Sequence, residues 1–147
     1  MTFLLDTCVL AEGRKPAPDP NVAAWLDEQD VRDLYLSAVT LGELWKGASR
    51  HPDERRRQKL SVWLEQELQV EFHGRILAVD RDVAAAWGVI QGEALRRGQP
   101  LPILDSMIAA TAAKYGLTVV TRNVLDFVGT GVDVLNPWEA RPAAPIR

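Results

Sequence analysis

The sequence predicts an α/β protein: a sandwich in which a mainly parallel central sheet of four or five strands is flanked by helices. Three observations carry this. Short apolar runs alternate with helical patterns along most of the chain, as they do where crossover helices join parallel strands. The runs are short and bounded by turn residues, which fits buried strands. Several acids follow such runs directly, at the edge where open α/β sheets bind their ligands.

Phe3–Thr7, read as Phe-Leu-Leu-Asp-Thr, is the first strand, with Asp6 at its C-terminal end. A turn or helical start follows. Arg14–Pro20 reads as a loop, with Pro16, Pro18 and Pro20 blocking regular structure. Val22–Glu28 is a short helix turning Val22, Trp25 and Leu26 inward. Leu34–Ala38 is the second strand, and Thr40 opens a helix to Ala48. Glu54–Leu68 is a further helix with Leu60, Trp63, Leu64 and Leu68 on one face. Arg75–Val79 is the third strand. Asp82–Arg97 is a helix striped by Val83, Ala86, Trp87, Ile90 and Ala94, ended by Gly98. Leu104–Tyr115 is a nearly uncharged helix closed by Gly116. Thr118–Thr121 and Asp133–Leu135 complete the sheet.

With 147 residues the chain is one domain, 1–140, followed by a flexible Pro- and Ala-rich tail, 141–147. A net charge of −3 argues against gripping nucleic acid by bulk charge. It leaves room for phosphates held through metal ions and a local basic patch. The single cysteine, Cys8, excludes an intrachain disulfide and fits a reducing compartment. Residues 1–10 lack the flank and core of a signal peptide. No apolar run approaches the roughly 20 residues of a membrane span. The expected location is the cytoplasm.

Each acid has a plain structural reading beside a functional one. Asp6 suits a helix N-cap. Thr40-Leu-Gly-Glu43 reads as a capping box, yet Glu43 also lies one turn from a sheet edge. Asp105 opens a buried-looking helix, where it is either a cap or a site residue, because an unpaired charge there is costly. Asp126 follows the fourth strand and suits a turn. Together they are more informative, because crowded carboxylates repel unless protonated or bound to a cation. Oxygen-only ligands favour a hard ion, Mg²⁺ or Mn²⁺.

Other chemistries are poorer. No His is placed to activate Cys8, and no glycine-rich nucleotide loop is present. Gly42, Gly47 and Gly88 read as close helix contacts. Trp45 and Trp63 are candidates for a partner-facing apolar surface. Arg55–Arg57 with Lys59 and Arg50 is a solvated face or an RNA-facing patch. Asp80 and Asp82 are better explained by helix capping than by phosphotransfer.

The motifs resemble one family. Leu4-Leu-Asp-Thr-Cys-Val-Leu resembles the opening of PIN domains. Leu36-Ser-Ala-Val-Thr-Leu-Gly-Glu-Leu resembles their second acidic motif, and Leu104-Asp-Ser-Met-Ile-Ala-Ala-Thr-Ala the third. Val120-Thr-Arg-Asn-Val-Leu-Asp-Phe resembles the fourth, and Val134-Leu-Asn-Pro-Trp the ending. Within the family the chain is similar to VapC toxins, especially the FitB-like branch. The resemblance implies a PIN-like fold and a Mg²⁺-dependent endoribonuclease leaving 5′-phosphate and 3′-hydroxyl ends. Asp6, Glu43, Asp105 and Asp126 would then be the metal-binding catalytic acids. Thr7, Thr121, Arg122 and Asn123 would support them or contact substrate, with Asn123 a rival for the fourth position. Cys8 stands where Asn is usual, which costs a hydrogen bond but no acid. The resemblance further implies a homodimer and a cognate VapB- or FitA-like antitoxin carrying the DNA-binding part. The rival reading is a catalytically silent PIN-like interaction module.

Overall fold

The structure is a computed structural model in which residues 1–140 are described. The tail expected at 141–147 lies outside the described residues. Five parallel strands form one sheet in the order β3-β2-β1-β4-β5. They are β1 (Phe3–Leu5), β2 (Leu34–Ser37), β3 (Ile76–Leu77), β4 (Thr118–Val120) and β5 (Val134–Leu135).

Strand β1 is central, and its side chains alternate between two cores. Phe3 and Leu5 join Val9, Trp25, Leu36, Leu64, Leu68 and Phe72 on one face. Leu4 joins Ile108, Ala109, Ala112, Val119 and Phe127 on the other. The period of 2 makes this division, and cover on both faces explains the unbroken apolar run.

Helices α1 (Thr7–Gly13) and α2 (Pro20–Glu28) connect β1 to β2. Pro20 was expected to block helix. It instead opens α2 at the first turn, where a missing N–H costs nothing. Asp19 caps α2, its Oδ1 accepting from the N–H groups of Asn21 and Val22 at 2.9 and 3.2 Å. Asp19→Ala is expected to cost about 1 kcal/mol, read by urea unfolding.

Helix α3 (Ala38–Ser49) starts a residue after β2 ends. The expected capping box is absent: Ser37 is the cap, accepting from the Val39 N–H at 3.1 Å. Thr40 lies inside the helix, fully buried, and Glu43 is free to face elsewhere. The helix expected at Glu54–Leu68 is α4 (Glu54–Val62), then a π-helical stretch, Trp63–Leu68, then α5 (Gln69–Glu71). Leu64 and Leu68 stay buried through the wider turn. Gly42, Gly47 and Gly88 are not contact points, because a Cβ on any of them would meet open space.

Asp80 caps α6 (Arg81–Arg96) and is also bound by Lys114 at 2.8 Å, which accounts for it structurally. Helix α6 packs along α7 (Ile103–Tyr115), which ends at Gly116 in the left-handed region, φ 65°. Among the described residues no helix is long and apolar enough to cross a membrane.

Candidate metal centre

The strand order reverses at β1. From there the chain first builds outward through β2 and β3, then returns to lay β4 and β5 on the other side. A crevice opens at such a switch point, at the C-terminal strand ends. Asp6 and Thr121 stand there, one residue past β1 and β4.

Asp6 is held on three sides. Its N–H extends the ladder to the Val120 carbonyl at 2.9 Å. Its Oδ1 accepts from the Thr7 N–H at 2.8 Å, capping α1. Its Oδ2 accepts from Thr121 Oγ1 at 2.7 Å. The cap and the site readings of Asp6 are therefore compatible. Asp6 is only 5% exposed. A carboxylate so buried normally has a cation against it.

Glu43 reaches the same place from α3. Thr7 Oγ1 donates to Glu43 Oε1 at 3.0 Å, so one threonine fixes two acids. Burial pushes the Glu43 carboxyl above its ordinary range, against the Thr7 bond and with the charge of Asp6. Asp105 is the third residue of α7; the cap is Pro102, so the N-cap reading of Asp105 does not hold. Burial first, then the charges of Asp6, Asp126 and Glu43, raise Asp105 to about 6. Asp126 sits on a 3₁₀ turn, Val124–Phe127, that packs against α7.

The structure thus groups Asp6, Glu43, Asp105 and Asp126 at electrostatic range. Among the described residues none of them forms an ion pair with Lys or Arg. Nor are three His, Cys, Asp or Glu side chains gathered into a ligand set for one ion. The donor chemistry, four carboxylates and two hydroxyls, suits a hard divalent ion.

Thr7 and Thr121 are the expected supporting residues, and both touch Asp6. Arg122 is exposed, with its guanidinium over the Trp138 ring at 5.4 Å and its N–H 3.5 Å from Cys8 Sγ. Asn123 is exposed and donates its backbone N–H to Thr121 Oγ1 at 3.0 Å. Cys8 Sγ lies 3.6 Å from Thr121 Oγ1, and burial raises its thiol pKa, so it is a poor nucleophile. Trp63, expected to be partner-facing, carries the Arg14 guanidinium at 4.2 Å, while Trp45 packs on the core.

Ser37 and Ser106 were missed from the sequence. Ser37 was legible as a second Ser/Thr start signal a turn ahead of Thr40. Ser106 carried one signal: a serine inside an otherwise apolar helix.

Comparison with known proteins shows the family. Residues 3–124 match the PIN domain family. The chain is 41% identical to the toxin FitB of Neisseria gonorrhoeae over 92% of this chain and 98% of that protein. It is 38% identical to the VapC ribonuclease Y4jK of Sinorhizobium fredii over 93% and 98%. A solved structure of FitAB bound to an IR36 DNA fragment matches with TM-score 0.89 and 36% identity, covering 97% of this chain and all of that one. The chain belongs to the PIN-domain family, among its FitB and VapC members.

Proposed function

We propose that this protein is the toxin of a type II toxin–antitoxin pair, an endoribonuclease that hydrolyses RNA phosphodiester bonds with a bound Mg²⁺ or Mn²⁺. The observation that carries the reading is the pocket of four acids, none of which forms an ion pair with Lys or Arg among the described residues. The names of two relatives, a toxin and a ribonuclease, support it.

Asp6, Glu43, Asp105 and Asp126 would hold the metal. Bound there, a divalent ion neutralises phosphate charge and lowers the pKa of the attacking water. Thr7 keeps Asp6 and Glu43 in fixed orientation, and Thr121 locks the second oxygen of Asp6. The fourth position goes to Asp126 rather than Asn123, because Asp126 carries the charge that reaches Asp105. Exposed Arg122 would meet a phosphate, with Asn123 beside it as a substrate contact. The products carry 5′-phosphate and 3′-hydroxyl ends.

In the same reading the toxin is a cytoplasmic homodimer silenced by a small FitA- or VapB-like antitoxin. DNA is met only through that partner. The structure of FitAB bound to an IR36 DNA fragment supports a partner that meets DNA. The test uses purified protein and labelled RNA. Cleavage should require added Mg²⁺ or Mn²⁺ and stop in excess EDTA. Undiminished cleavage in EDTA overturns the metal reading, and no cleavage under any ion favours a silent module.

A further inference from the structure

We infer that Trp87 and Gln91 of α6 are positioning residues for the metal pocket: through Ser106 they hold the turn of α7 that carries Asp105. The inference rests on the metal-dependent reading.

Helix α7 begins without a side-chain cap, because its N-cap is Pro102. The first N–H groups of a helix have no intrahelical acceptor, and a cap normally supplies one and pins the first turn. Here the first turn is pinned from outside. Ser106 is fully buried. Its Oγ accepts from Trp87 Nε1 at 3.0 Å and from Gln91 Nε2 at 2.7 Å, and donates to the Ile103 carbonyl at 2.7 Å. A hydroxyl has one donor and two acceptor positions, so Ser106 is saturated. Gln91 Nε2 also lies 3.3 Å from the Leu101 carbonyl.

Helix α6 therefore grips residues on both sides of Asp105: Leu101 and, through the hydroxyl, Ile103 before it, and Ser106 after it. Trp87 and Gln91 stand one helical turn apart, at i and i+4, and present both donors to one atom. The grip opposes a definite load. Asp105 lies within electrostatic range of Asp6, Glu43 and Asp126, whose charges repel it. Groups that orient ligands without touching the ion typically change metal affinity by about 10–100-fold when removed.

Plain helix packing would also use these bonds, so the experiment separates the two. Trp87→Phe with Gln91→Met removes both N–H donors and keeps most of the volume. Mn²⁺ affinity is measured at neutral pH from the EPR signal of free ion, beside thermal midpoints in EDTA. The double variant should bind Mn²⁺ about tenfold more weakly. Gln91→Met alone, the milder change, should bind about threefold more weakly and serves if the double variant does not fold. Asp19→Ala, similarly destabilised at a remote cap, should bind like the parent. Parent-like affinity in the folded α6 variants, with Asp105→Asn binding weakly, overturns the inference and leaves the metal reading intact. Equal weakening in Asp19→Ala also overturns it, because the effect is then general destabilisation. A parent that binds no Mn²⁺ overturns both.

Discussion

Asp105→Asn is expected to lower RNA cleavage by about a thousandfold while making the metal-free protein more stable. The loss follows from the proposed metal role: without Asp105 an ion would lose a charged ligand on the α7 side, and with it some of its power to neutralise phosphate charge. The gain follows from the same residue. Asp105 is burdened by burial and by three neighbouring carboxylates, which push its pKa to about 6. The amide carries none of that charge. At pH 7.5 in EDTA the variant should gain about 1 kcal/mol, or ~3 °C in melting temperature for a domain of this size. Asp6→Asn should lose cleavage equally but gain no stability. Its two oxygens each accept a hydrogen bond, from Thr7 and Thr121, and an amide keeps only one acceptor, so the Thr121 hydroxyl must turn away from its present bond. Near-parent cleavage by Asp105→Asn, with no rise in melting temperature, contradicts this account of the pocket.

Metal and pH are expected to act on stability through one group. The Asp105 carboxyl titrates near 3.9 in the unfolded chain and at about 6 in the fold. The folded state thus binds more protons between these values. The stability that Asp105 permits is complete below the unfolded pKa and is lost as pH rises through about 6. The loss is roughly 1–2 kcal/mol once solvent screening of this half-buried group is allowed for. Glu43, raised for similar reasons, adds loss of the same sign. In EDTA, the stability gap between the parent and Asp105→Asn should therefore widen from pH 5 to pH 7.5. Mg²⁺ at a hundred times its dissociation constant should restore about 2.7 kcal/mol at pH 7.5. At pH 5, where Asp105 holds its proton, the same ion should stabilise far less. Scanning calorimetry at both pH values checks this. An equal Mg²⁺ shift at both would mean that the ion binds elsewhere.

Asp6 and Asp126 were legible as candidates because they come soon after strand ends, the easiest boundary to read, whereas Asp105 comes from the start of a helix. Asp6 and Thr121 needed only the apolar runs before them. The start of α3 was not legible, because Ser37 and Thr40 each make a credible cap. The choice falls to where β2 stops, which is decided by pairing with β1 and β3. The π-helical stretch was hidden because Leu64 and Leu68 keep a spacing that an ordinary helix also buries. Ser106 was hidden for another reason: its partners lie 19 and 15 residues earlier, on a different helix. The antitoxin side and the choice of RNA were suggested by resemblance, since no periodicity encodes them.

The ladder bond from Asp6 to Val120 has a consequence for how the pocket breathes. The Asp6 amide belongs to the most deeply covered strand, so its hydrogen should exchange only when the whole domain opens. Asp126 sits on a single 3₁₀ turn beside Leu125, which is 86% exposed. Only Phe127 anchors that turn in the core, so its amides should exchange faster than that of Asp6. The pocket therefore has a fixed wall on β1 and a yielding wall on the turn. Ions of different radius would be accommodated by movement of the second wall alone.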